Sequence, residues 1–174
     1  SIDFADFEAK LQEGVKAFIL CSPHNPVGRV WTKEELNKIA ELCAQYDVLI
    51  FADEIHADLV FDKYTHTPIA SISEDAAART ITCMSPTKTF NLAGLQASYI
   101  VTPNKKMRET IQASLGLQGF NMINVMGTVA LDAAYRHGKP WLEQLMKVVE
   151  ANKIYATNRL ESETDGLLQV VPSE

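Results

Sequence analysis

Lys88 lies in the run Ser85-Pro86-Thr87-Lys88-Thr89-Phe90-Asn91, downstream of an Asn25-Pro26-Val27-Gly28 turn and an Asp53-Glu54-Ile55-His56 turn. A lysine that follows a hydroxyl-rich turn can condense with an aldehyde as a Schiff base. An aspartate at the end of a buried strand can hold a pyridine nitrogen protonated, and an asparagine amide can donate to a phenolate oxygen. These are the contributions a protein makes to pyridoxal phosphate chemistry, in which the cofactor itself stabilises the carbanion. The residues therefore point to an enzyme fold using pyridoxal 5'-phosphate.

Such residues need elements to position them. Ala17 to Cys21 is a short apolar run bounded by Ser22-Pro23-His24-Asn25-Pro26, which suits a strand buried on both faces. Val48 to Ala52 is a second strand, ending at Asp53. Thr80 to Met84 is a third, ending at Ser85, and Ala97 to Thr102 is a fourth, closed by Pro103-Asn104. Asp3 to Glu13 reads as a helix capped by Asp3 and ended by Gly14. Thr32-Lys33-Glu34-Glu35 is a capping box that opens another, with Leu36, Ile39, Ala40, Cys43 and Ala44 at helical spacing. Lys105 to Ser114 reads as helix too. The alternation predicts an α/β fold, a mostly parallel sheet with helices on both faces. Asn25, Asp53 and Ser85 then fall at the carboxyl ends of three strands, the edge where open α/β sheets bind ligands.

Past Gly119 the pattern changes. Met122, Val125, Met126, Val129, Ala130, Ala133 and Ala134 form an apolar helical stripe, stopped near His137-Gly138. Trp141, Leu142, Leu145, Val148 and Val149 begin a longer helix towards Glu163. Both stripes are expected to be core packing. Leu167 to Val171 resembles the start of a strand with no sequence left for a partner, so the chain looks cut.

Composition narrows the partners. The 174 residues carry a formal charge of −6, which argues against a general phosphate-backbone binder and so against nucleic acid. No apolar run approaches the roughly 20 residues of a membrane span, and no signal pattern opens the chain. Cys21, Cys43 and Cys83 sit in apolar surroundings without zinc spacing, so reduced thiols, no metal and a cytoplasmic protein are expected.

The stretches Cys21 to Arg29, Ala52 to Leu59 and Thr87 to Gln96 together resemble the fold-type I pyridoxal-phosphate enzymes of the class I and II aminotransferase-like group, and most of all its cystathionine β-lyase (C–S lyase) branch. The intervals, 28 residues from Asn25 to Asp53 and 35 from Asp53 to Lys88, match that family's order and approximate spacing. The resemblance implies that Lys88 is the catalytic lysine, joining the cofactor and later shuttling the Cα proton. It implies that Asp53 pairs with the pyridinium nitrogen, that Asn25 donates to the ring oxygen, and that Ser85, with Thr87 beside it, binds the phosphate. Many aminotransferases have an arginine where Gln96 stands and a tyrosine where His56 stands. Both differences fit the lyase branch, and Gln96 can still donate to phosphate without an arginine's charge.

Other readings of the same residues stay open. Asp53 could cap a helix or pair with a cation, Ser85 could be a helix N-cap, and His56 could be a cofactor contact or a satisfied core or rim histidine. Glu54 reads as a structural hydrogen-bonding carboxylate, His24 as a shaper of its turn, and His66 and His137 as surface residues. The implied activity is β-elimination from cystathionine or cysteine, giving thiol, pyruvate and ammonia. An aminotransferase is the alternative, and a catalytically silent domain acting in binding or dimerisation is another. Implied partners are a small amino-acid substrate and a second copy in a homodimer. Residues 1–165 are expected to be part of the cofactor-binding large domain, and 166–174 the start of a truncated C-terminal small domain.

Overall fold

The structure is a computed structural model and describes residues 2–120, 122–165 and 167–174. Four strands form one sheet in the order β1 (Ala17–Cys21), β2 (Leu49–Asp53), β3 (Thr80–Met84) and β4 (Tyr99–Val101). The first three are parallel, with Cys21 opposite Asp53 and Asp53 opposite Cys83, so their carboxyl ends form one rim. β4 runs antiparallel to β3 and is shorter than its apolar run suggested. The α/β class and the mostly parallel sheet expected from sequence are both present.

Helix α1 (Phe4–Gln12) starts where Asp3 Oδ1 accepts the amides of Ala5 and Asp6. Helix α2 (Lys33–Gln45) starts at the complete Thr32/Glu35 capping box. Leu11 of α1 and Leu36, Ile39, Leu42 and Cys43 of α2 close on Leu20, Ile50 and Ala52 of the sheet, with Val48 and Ile69 completing the cluster. Helix α3 (Glu74–Arg79), which the sequence reading did not single out, leads directly into β3.

Burial on both faces holds for β3, whose Thr80, Ile81 and Thr82 are all buried, but not for its neighbours. β1 and β2 alternate: Leu20, Ile50 and Ala52 are buried, whereas Leu49 and Phe51 are exposed and Ile19 is 74% exposed. The helices of the core cluster lie on one side of these strands, and no described helix covers the other.

One-turn helix α4 (Pro86–Thr89) follows β3, and α5 (Lys105–Leu117), α6 (Val125–His137) and α7 (Lys139–Ser162) complete the chain. The apolar stripe of α6 is not core packing: Val125, Met126 and Val129 are exposed. No strand forms among residues 167–174. The tail instead reaches the Asn25 turn, where the Glu174 amide donates to the Gly28 carbonyl at 2.7 Å. Gly166, where the second expected domain begins, lies outside the described residues.

Candidate cofactor site

The turn after β1 is held from several sides. The His24 amide donates to the Arg29 carbonyl at 2.7 Å, and the Gly28 amide donates to the His24 carbonyl at 2.8 Å. Gly28 has φ +67°, and a Cβ there would sit 2.8 Å from Ser173 Cβ, so the turn requires glycine. Arg29 forks onto both carboxylate oxygens of Glu35, at 2.8 and 3.0 Å, and donates to the Val30 carbonyl. The Trp31 indole donates to the Cys21 carbonyl, and its ring stacks on His24. His24 thus shapes the turn as expected. The Arg29–Glu35 fork is an addition; its only sequence signal was an arginine one position past the turn glycine. Asn25 is presented at the exposed tip of this braced turn.

Asp53 is the last residue of β2, half-buried and flanked by Cys21 and Cys83. Its Oδ1 accepts the Ile55 amide at 3.3 Å, and no ion pair to it is formed among the described residues. The adjacent Glu54 is buried and fully occupied: Oε1 accepts the Ile69 amide at 3.1 Å, and Oε2 meets His66 Nε2 at 3.2 Å. Glu54 is therefore the structural carboxylate anticipated. His66 is not a surface residue; its side chain is buried with Glu54, as a carboxylate removed from water requires a partner.

His56 sits in the turn after β2. Its Nδ1 is buried and has no hydrogen-bond partner. Burial lowers the imidazole below its ordinary value; the Asp53 carboxylate pulls it up and the Lys88 ammonium pushes it down. The two charges that act on His56 thus come from two separate strand ends. His56 and Asn25 also line a common cavity of about 170 Å³, with Pro23, Leu59 and Glu174.

Beyond β3, Ser85 caps α4: its Oγ accepts the Thr87 amide at 3.1 Å. The same hydroxyl donates to the Ala97 carbonyl at 2.6 Å and lies 2.7 Å from Thr87 Oγ1. Both hydroxyls are buried and turned on each other. Lys88 is exposed and forms no ion pair among the described residues. Gln96 stands apart, in a left-handed backbone conformation (φ 50°) and lining a separate cavity beside β4 and α5. The structure thus groups Asp53, His56 and Lys88, sets Asn25 on the cavity His56 shares, places Ser85 and Thr87 at the start of Lys88's own turn, and turns Gln96 elsewhere.

This donor set suits the ring of pyridoxal phosphate. A carboxylate with spare acceptor capacity can face a pyridinium, an unengaged amide can face a ring oxygen, and an unpaired amine can meet an aldehyde. The orphaned His56 Nδ1 is a further polar atom with room for a partner. The phosphate end has only neutral donors among the residues singled out.

A family profile described as "Aminotransferase class I and II" matches residues 1–174. The cystathionine beta-lyase PatB of Bacillus subtilis is 44% identical over 173 residues, which is 99% of this chain and 45% of the relative. Cystalysin of Treponema denticola, whose crystal structure contains pyridoxal 5'-phosphate, superposes with a TM-score of 0.90 at 38% identity, over 92% of this chain and 41% of that one. The PLP-bound C–S lyase of Staphylococcus hominis gives 0.88 at 35% identity, over 95% and 42%. The chain spans less than half the length of these relatives.

Proposed function

This chain belongs to the class I and II aminotransferase family, and within it we propose that residues 1–165 are the core of the cofactor-binding large domain of a pyridoxal-phosphate-dependent C–S β-lyase. Residues 166–174 then begin the small domain. The observation that carries the reading is the shared rim: Asp53 ends β2 opposite Cys83 of β3, His56 sits in the turn after β2, and Lys88 sits in the turn after β3. The names of its relatives favour lyase over transaminase.

When bound, pyridoxal phosphate supplies an electron-poor ring that stabilises negative charge at the substrate's Cα. Asp53 holds a proton at the ring nitrogen. Asn25, braced by the Arg29 turn, orients the ring oxygen, and His56 Nδ1 offers a second polar contact. Ser85 and Thr87, with Gln96, serve the phosphate. Lys88 Nζ would hold the cofactor at its aldehyde carbon and would move the proton at the amino acid's Cα. Loss of the β-thiolate from cystathionine or cysteine, followed by hydrolysis, gives thiol, pyruvate and ammonia.

The partners proposed are a small amino acid and a second copy of the chain, which would cover the exposed apolar stripe of α6. Three free cysteines suit a reducing compartment, and a cytoplasmic location goes with the reading. No described helix is long and apolar enough to cross a membrane.

The test is the visible absorption of the protein mixed with pyridoxal phosphate. Wild type should gain a yellow band that Lys88→Ala lacks, and cystathionine should release thiol and pyruvate. Identical spectra for the two proteins would refute the cofactor assignment. A band with transfer of the amino group to a keto acid, and no thiol release, would make it a transaminase. A band with neither activity would leave a silent binding domain.

A further inference from the structure

Lys88 and Asp53 reach the rim on different strands, so their chemistry depends on how one turn is set against the other. A single hydrogen bond links those turns. Thr89, the residue after Lys88, is fully buried, and its hydroxyl donates to Asp58 Oδ2 at 3.0 Å. Asp58 lies in the turn that follows Asp53. Among the described residues no other hydrogen bond joins positions 54–59 to positions 85–91.

We propose that Asp58 and Thr89 are a positioning pair that sets the Lys88 amine against Asp53 and His56. The proposal rests on the functional reading above. Helix α4 has only four residues, and one helical turn has little stability of its own. Its first end is pinned by Ser85, which caps Thr87 and donates to Ala97 on the far side. That anchor fixes where the turn begins but makes no bond to the turn that follows Asp53. Phe90 packs edge-on to Tyr135 of α6 and near Trp141 of α7, which refers the segment to the C-terminal helices and not to β2. The β2–β3 pairing brings the two turns side by side, and among the described residues the Thr89–Asp58 bond is the one hydrogen bond that joins Lys88's turn to the turn after Asp53. A buried hydroxyl whose partner is lost stays unsatisfied, so the bonded arrangement is strongly preferred.

Two readouts test this, one without cofactor. Thr89→Val keeps the side chain's shape and leaves every charge in place. In the cofactor-free protein, the His56 titration followed by NMR should move upward, because the Lys88 ammonium that opposes its protonation is no longer held near. With pyridoxal phosphate added, the yellow band should form tenfold to a hundredfold more slowly, the scale of loss for a misplaced reacting group. Thr89→Ser should restore both. Asp58→Asn, at an exposed position where folding is not at risk, should slow band formation similarly, and the double variant should be no slower than either single one. Wild-type His56 titration and band formation in Thr89→Val would overturn the pair, as would additive losses in the double variant. If wild type forms no band, the functional reading fails while the His56 titration still decides on the pair.

Discussion

The two halves of this molecule use their apolar residues in opposite ways. In the first, Leu36, Ile39, Cys43, Val48, Ile50, Ala52 and Ile69 are completely buried in one cluster under the sheet. In the second, α5 and α7 bury no residue, and α6 buries only Gly127. Leu117 and Met122 are each 92% exposed. Every candidate site residue belongs to the first half or to the link after it, and none to α5, α6 or α7. A rim that must hold Asp53 and Lys88 in register needs a rigid sheet beneath it, and that sheet supplies its own core. The C-terminal helices present an apolar surface that the described residues do not cover.

The largest effect should come from breaking the core. Ile50→Ala, in the Asp53 strand itself, should cost about 2–5 kcal/mol in denaturant unfolding and weaken pyridoxal phosphate binding with it. A loss under 1 kcal/mol would show that the sheet does not underpin the site. The matching change in the second half is Met126→Ser with Val129→Ser. Folding of the single chain should stay within about 0.5 kcal/mol of wild type, because neither side chain is buried. Self-association measured by sedimentation should weaken at least tenfold, on the order of 1.4 kcal/mol. Unchanged association would mean that the second copy does not sit on α6.

How much the sequence disclosed follows the same divide. The ends of β1 and β3 and the N-terminus of α2 were legible because local signals agree there: apolar runs ended by turns, and Thr32 three residues before Glu35. Asn25, Asp53 and Ser85 could be assigned to one rim because parallel strands share a direction. The α6 stripe was legible as a helical face and misread as core, since periodicity says which side is apolar and nothing of what covers it. His66 was misread because its partner Glu54 is made a buried acid by the fold, not by its neighbours in sequence. Asp58 and Thr89 were invisible for a similar reason: 31 residues separate them, and neither stands out by type.

The smallest effect tests whether the first half assembles a site at all. Burial holds the His56 imidazole below its ordinary value, so the folded ring resists a proton that the unfolded chain accepts. The stability this contributes is present above the unfolded imidazole's value, about 6.5, and is lost as pH falls through the lower folded one. Unfolding free energy should therefore slope downward as the pH is lowered below about 6.5, and His56→Gln should flatten that slope. Lys88→Ala removes a charge that adds to the depression, so it should shrink the slope without abolishing it, burial being the larger cause. A slope untouched by Lys88→Ala would mean the lysine does not face the histidine. The rim would then carry the right residue types with no shared neighbourhood, and the contrast between an assembled half and an uncovered one would lose its first term.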